Sequence, residues 1–248
     1  MGFEDHFSAQ SSAYAAFRPS YPKALAEYLA SLSPDRHLAW DCGTGSGQAA
    51  TMLAMAFDRV IATDASEQQI AHAEPTPGVE YRVADASQSG LTEQSCDLVA
   101  VAQAAHWFDL PAFYAEVRRV LRPHGIVALW CYAQLETDFP LLDDCIHEFQ
   151  HGRVEPYWPP GREFVDARYE TLPFPFARMA APRFEMTAEW TRDALIGYIS
   201  SWSAVARCRT EEGADPLPDL EAEIRELWSD RDEVREVRWP VSLLVGRV

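Results

Sequence analysis

Short apolar runs rich in Val, Ile and Ala begin near Leu38, Arg59, Val79, Asp97 and Ile126, at intervals of 21, 20, 18 and 29 residues, with helix-like spacing of apolar positions between them. A strand recurring at that interval, with a helix between, is the rhythm of βαβ units and a parallel sheet. Residues 97–102 and 126–130 are nearly continuous apolar runs, as central strands covered on both faces require. Between them Asp109 is placed to cap a helix entered by Pro111. Its apolar positions Phe113, Tyr114, Val117, Val120 and Leu121 share one face, and Pro123-His124-Gly125 is expected to end it.

After Tyr132 the rhythm changes. A helix is predicted over about residues 140–150, followed by a proline-rich aromatic stretch from Pro156 to Phe176 that no regular helix can hold. A strand fits residues 183–186. Thr191 is placed to cap a helix carrying Leu195, Tyr198, Ile199 and Trp202, and another helix follows Pro218 with Leu220, Ile224, Leu227 and Trp228 inward. Residues 238–245 read as a closing strand.

The charge balance narrows the partners. With 21 basic and 38 acidic side chains the formal net charge is −17, which opposes a phosphate backbone or an anionic membrane surface. Residues 211–236 hold 11 of the acids against 3 arginines, so much of this charge is expected on one solvated face. Lys23 is the only lysine, so no P-loop is present, and Schiff-base or pyridoxal chemistry would have to fall on that one residue. The five cysteines are odd in number with no CxxC pair, and read as buried free thiols. The apolar run over residues 98–105 falls short of the ~18 residues of a membrane span. Residues 1–6 show neither a basic nor an apolar leader segment. A cytoplasmic protein is expected, without metal: His147 and His151 are four apart, but no HExxH accompanies them.

The most informative stretch is Asp41-Cys42-Gly43-Thr44-Gly45-Ser46-Gly47, a strand running into a glycine-rich turn and then a helix. Alternate glycines let the chain bend sharply and let a ligand lie against bare backbone. Two ligands compete for it. A dinucleotide fingerprint is formally present as Gly45-x-Gly47-x-x-Ala50, with Asp64 as the ribose acid. The alternative is acid-x-Gly-x-Gly-x-Gly, from Asp41 to Gly47, and the acid two residues before the first glycine favours it. Asp64, followed by Ala65, ends the second strand in a carboxylate suited to ribose hydroxyls, and Asp85 with Ala86 ends the third. Open α/β sheets bind ligands at these carboxyl ends.

On these residues, with Phe17 to Pro22, Gln103 to Asp109 and Arg119 to Gly125, the chain resembles the type-11 S-adenosylmethionine-dependent methyltransferases, and within them the trans-aconitate methyltransferase-like branch. The resemblance covers about residues 3–133 and weakens beyond; His124 stands where the family usually has glycine. It implies an α/β, Rossmann-like methyltransferase fold: a mostly parallel seven-stranded sheet, helices on both faces, an antiparallel final strand and a C-terminal helical and aromatic cap. The expected parts are N-terminal lid helices (1–34), a cofactor-binding core (35–133), a cap or substrate region with one added strand (134–237) and a closing strand (238–248).

By the same resemblance the cofactor is S-adenosyl-L-methionine, with S-adenosyl-L-homocysteine as product. The loop from Asp41 through Gly43, Thr44, Gly45 and Gly47 would contact its methionine part, Asp64 and Ala65 the ribose, Asp85 and Ala86 the adenine, with Gln103 completing the site. The acceptor is expected to be a small molecule with an O, N or carboxylate nucleophile, methylated by in-line displacement. His106 emerges at the same sheet edge and is the candidate base, its alternative role being to hydrogen-bond the loop. Tyr14, Arg18 and Tyr21 could fold over the site, Arg18 gripping a carboxylate. Trp107, Trp130, Tyr132, Trp158 and Trp202 are the candidate aromatic wall. An NAD(P)-dependent oxidoreductase and a noncatalytic S-adenosylmethionine-binding protein are the competing readings. A nucleic-acid substrate is disfavoured by charge and by Gln103-Ala104-Ala105-His106, which stands where an Asn/Asp-Pro-Pro-aromatic run would be needed. Monomer and homodimer both stay open.

Overall fold

The computed structural model describes residues 19–248; Tyr14, Arg18 and most of the expected lid lie outside them. The first half alternates as the spacing predicts: α1 (Lys23–Leu32), β1 (Leu38–Cys42), α2 (Gln48–Leu53), β2 (Arg59–Asp64), α3 (Glu67–Ala71), β3 (Val79–Val83), β4 (Cys96–Ala102), α4 (Leu110–Val120) and β5 (Leu121–Cys131). The second half comprises β6 (Glu136–Thr137), α5 (Pro140–Glu148), α6 (Arg162–Asp166), β7 (Ala177–Arg178), β8 (Phe184–Thr191), α7 (Arg192–Ser200), α8 (Ser203–Glu212), α9 (Pro218–Leu227) and β9 (Val234–Arg247).

The strands form one sheet in the order β3-β2-β1-β4-β5-β9-β6, with β7 and β8 also paired to β9. Strands β1 to β5 are mutually parallel, and β9 runs antiparallel to β5. Strand alternation sends Ala39, Leu98, Ala100, Ile126, Ala128 and Trp130 to the face shared with α1, α2 and the cap. Trp40, Cys42, Val99, Val101, Val127 and Leu129 go to the face covered by α4. The fully buried Asp97 locks the far end: it accepts the His37 and Leu38 amides at 2.9 and 3.0 Å and the Arg122 guanidinium at 2.8 Å. All five cysteines are free and buried.

Several expectations need correction. The sheet has nine strands, not seven, because β9 is 14 residues long and serves two sets of neighbours. Its residues 242–247 pair with β5, while 234–241 pair with β8 in the cap, so the closing strand begins before residue 238. The cap contributes three strands rather than one, and the strand expected over 183–186 extends to Thr191. Thr191 does cap α7, accepting the Ala194 amide, but that helix stops at Ser200 and Trp202 is the N-cap residue of α8. α4 stops at Val120, before Pro123. The chain enters β5 at once, through a bulge that holds Pro123, His124 and Gly125 between the pairs Cys96–Leu121 and Leu98–Ile126. His124 takes φ +66°, the left-handed conformation in which glycine is at ease, and the bulge is tied to the C-terminus by His124 N–H to Val248 O and Val248 N–H to Gly125 O, both 3.1 Å. Finally, α1 is a layer of the core, not a lid: Leu25, Ala26 and Leu29 are fully buried.

Candidate functional site

The glycine turn joins β1 to α2 with Gly43, Gly45 and Gly47 at φ +70°, +56° and +93°. The three serve different ends. A Cβ on Gly43 would lie 2.7 Å from the Ala104 side chain, and one on Gly47 would run into the Tyr81 ring, 2.8 Å from Cε1. Those two glycines permit close packing. Among the described residues a Cβ on Gly45 would meet nothing nearer than the Gln69 amide oxygen at 3.8 Å, so here no packing partner requires the bare backbone.

Asp41 sits beneath the turn, fully buried. Its Oδ2 accepts the Thr44 hydroxyl at 2.5 Å, while Oδ1 meets no hydrogen-bond partner among the described residues. Burial pushes this carboxyl up to about 7, only partly opposed by the Thr44 hydrogen bond, and the nearby Asp64 adds to the rise. A positive group arriving at the turn would supply the charge that Asp41 lacks. Asp64 closes the turn from β2, accepting the Gly45 amide through Oδ2 and the Ser66 amide through Oδ1, each at 2.9 Å. Ala65 follows it at the same strand end, and Ser66 caps α3. Asp85, exposed after β3 and followed by Ala86, binds the Ser87 amide and hydroxyl through Oδ1 at 2.8 and 2.6 Å. Gln103 takes φ +56° and spends its amide on the backbone of Tyr132, donating to O at 2.7 Å and accepting from N at 3.2 Å; it ties the ends of β4 and β5 together.

A cavity of about 110 Å³ opens beside Gln103, between the sheet edge and the cap. His106, Trp107 and Tyr132 line it from the sheet side, and Trp158 and Trp202 from the cap, so five of the expected wall and site residues converge there with Gln103. Trp130 does not line it: the indole is fully buried in the core beneath, with Tyr21 edge-on at 5.6 Å. Sequence reasoning missed Gln150, Arg162, Tyr198, Ser201 and Ser203, which line the cavity from the helical turn that continues α5, from the start of α6 and from the ends of α7 and α8. Arg162 stacks its guanidinium 4.2 Å from the Trp158 ring centre and is held by Asp166 at 2.8 Å. A basic residue four positions after a tryptophan was the available signal. His106 joins Nδ1 to the Tyr169 hydroxyl at 2.9 Å. Burial, with the Arg162 charge added, drives its imidazole down to about 3, so it is neutral at physiological pH.

A glycine turn, the buried Asp41 beneath it and the strand-end carboxylates Asp64 and Asp85 lie together at the carboxyl ends of β1, β2 and β3, where open α/β sheets bind ligands. A Dictyostelium discoideum protein that carries the name of a methyltransferase is 34% identical over 251 residues, spanning 99% of this chain and 95% of its own length. The chain belongs to the type-11 S-adenosylmethionine-dependent methyltransferases. A sequence profile described as a methyltransferase domain matches residues 40–129 of this methyltransferase, from β1 through β5. An uncharacterised methyltransferase of Mycobacterium tuberculosis is 34% identical over 200 residues, 79% of this chain and 76% of its own. A solved structure from Anaeromyxobacter dehalogenans, described as a type II methyltransferase, shares 43% identity and superposes with a TM-score of 0.87 over 93% of this chain and 98% of its own. The protein is thus an enzyme with the Rossmann-like methyltransferase fold and S-adenosylmethionine as cofactor, which sets the oxidoreductase and noncatalytic readings aside.

Proposed function

We propose that this methyltransferase acts on a small molecule held in the cavity beside Gln103, by in-line displacement onto an O, N or carboxylate nucleophile. When bound, S-adenosylmethionine supplies a methyl group on a sulfonium, an excellent leaving group. The protein's work is then placement and exclusion of water. Asp41, Gly43, Thr44, Gly45 and Gly47 would hold the methionine part, Asp64 and Ala65 the ribose, Asp85 and Ala86 the adenine side, and Gln103 would fix the edge at which cofactor and acceptor meet. Tyr14 and Arg18, outside the described residues, remain candidates for covering that edge, whereas Tyr21 is buried in the core against Trp130 and Tyr132 and does not line the cavity.

The observation that carries this reading is the cavity itself. Its lining joins residues of the sheet edge to tryptophans of the cap, so an acceptor held there lies between the two. Trp158 and Trp202, with ring centres 5.7 Å apart, form an apolar wall, and Arg162 adds a positive charge within an acidic protein. Anionic acceptors are therefore favoured, in accord with the trans-aconitate-like resemblance. Five free thiols accord with a reducing cytoplasm.

A labelled-methyl screen of a metabolite library, carboxylic acids first, tests this. The expected result is transfer to one class of small acceptor that is lost in Trp158→Ala with cofactor binding intact. Transfer to nucleic acid or protein alone, or activity indifferent to Trp158→Ala, would contradict it.

A further inference from the structure

His106 looks from its place after β4 like a base, yet its surroundings assign it the opposite part. The Tyr169 phenol is fully buried, and burial drives it well above its ordinary range, so it stays protonated. A phenol has one proton to give. Among the described residues, the acceptor that meets Tyr169 Oη is His106 Nδ1, at 2.9 Å. If Nδ1 carried the proton instead, it would donate to the phenol oxygen and leave a buried hydroxyl proton with no acceptor. The hydrogen bond therefore runs from Tyr169 to Nδ1. The imidazole is neutral, so its own proton is on Nε2, the ring nitrogen with no partner among the described residues, and the ring lines the cavity.

The backbone around Tyr169 is built to make this contact. Arg168 and Tyr169 take φ +53° and +60°, two successive bulky residues in the left-handed region, held by Arg168 N–H to Val165 O at 2.8 Å and Tyr169 N–H to Phe164 O at 2.7 Å. Such strain persists only where the surroundings impose it. The same segment is pressed onto His106 at its other end, where a Cβ on Gly161 would lie 2.7 Å from the His106 carbonyl oxygen. No aspartate or glutamate lines the cavity among the described residues, and its charged group is the Arg162 guanidinium.

We propose that Tyr169 is a positioning residue that holds His106 protonated at Nε2, so that His106 donates a hydrogen bond to the acceptor and does not act as its base. This rests on the reading of the cavity as the acceptor site. Its consequence is a nucleophile that reaches the cavity without a proton to be removed by the enzyme: the new bond to carbon forms as the carbon–sulfur bond breaks, and the electron pair stays on sulfur.

The test is long-range proton–nitrogen NMR of the ligand-free, full-length protein, with His106 assigned by comparison with His106→Ala. The wild type is expected to show a bare Nδ1 and a protonated Nε2, unchanged from pH 5 to 8. Tyr169→Phe, which removes only the hydroxyl, should redistribute the proton between the two nitrogens or bring the ring into titration in that interval. A wild-type Nδ1 proton overturns the tautomer, and a Tyr169→Phe spectrum identical to the wild type overturns the positioning role. If Tyr169→Phe does not fold, the wild-type spectrum still decides the tautomer. With the acceptor in hand, His106→Ala should raise its KM about tenfold, and the wild-type kcat should be flat across pH 6–8; a wild-type acid limb that His106→Ala abolishes overturns the donor role. Failure of the acceptor-site reading would look different: the tautomer would stand while the acceptor KM ignored both His106→Ala and Trp158→Ala.

Discussion

Asp41→Asn tests whether the glycine turn stores a charge for the cofactor. Burial moves the Asp41 carboxyl from 3.8 to about 7. That difference of about 3 on the pH scale, at 1.36 kcal/mol each, is on the order of 4 kcal/mol. The folded protein holds this proton more tightly than the unfolded chain. Its stabilising effect is therefore complete below pH 3.8, is lost as pH rises to about 7, and is absent above. Asn keeps an oxygen for the Thr44 hydroxyl and has no charge to desolvate. Urea unfolding of ligand-free Asp41→Asn should lose that slope, and at pH 8 the variant should be more stable than the wild type, by up to about 4 kcal/mol. The same substitution should weaken S-adenosylmethionine, whose ammonium and sulfonium favour an ionised partner. At pH 6 a carboxyl titrating at about 7 is about nine-tenths protonated, so cofactor binding should release close to one proton. Calorimetry in two buffers of different ionisation enthalpy reads that release. Release near zero in the wild type, or an Asp41→Asn affinity equal to the wild type, would refute the reasoning.

Other substitutions separate the parts of the site. Gly47→Ala puts a Cβ at φ +93° against the Tyr81 ring, so S-adenosylhomocysteine affinity should fall about tenfold or more with a lower Tm, whereas Gly45→Ala should lose affinity with less change in Tm. Glu212 receives Arg153 at 3.0 and 2.5 Å and the Tyr157 hydroxyl, joining the end of α8 to the segment that carries Gln150 and Trp158. Glu212→Ala should raise the acceptor KM without changing cofactor affinity in calorimetry. The Arg153 hydrogen bonds hold the Glu212 carboxyl down to about 2, so this clamp should stay closed as pH falls to about 4, which cap proteolysis between pH 7 and 4 would report as unchanged.

The parallel core was legible because each of its strands is a short apolar run bounded by turn residues, and the structure begins three of them at the predicted Leu38, Arg59 and Val79. The cap was not, because β9 changes neighbours midway and no local pattern announces that. Trp202 fits the apolar stripe of one helix yet caps the next, since the break at Ser201 leaves the period intact. In the site, the glycine turn and the strand-end acids were readable because their chemistry is local, a few residues at fixed spacing. Arg162 and Tyr169 were not, because they come from a proline-rich stretch without periodicity. What they do to His106 depends on contacts 56 and 63 positions away in sequence, which only the fold creates.

The central claim, that the glycine turn and Asp64 together hold the cofactor, is tested most directly by calorimetry of S-adenosylhomocysteine with the wild type and Asp64→Ala. The wild type should bind one equivalent. Removing a carboxylate that anchors two backbone amides and receives the ribose should weaken binding by about 10- to 100-fold, the range of about 1.5–3 kcal/mol for hydrogen bonds to a charged group. An affinity unchanged in a folded Asp64→Ala protein would contradict the placement of the cofactor.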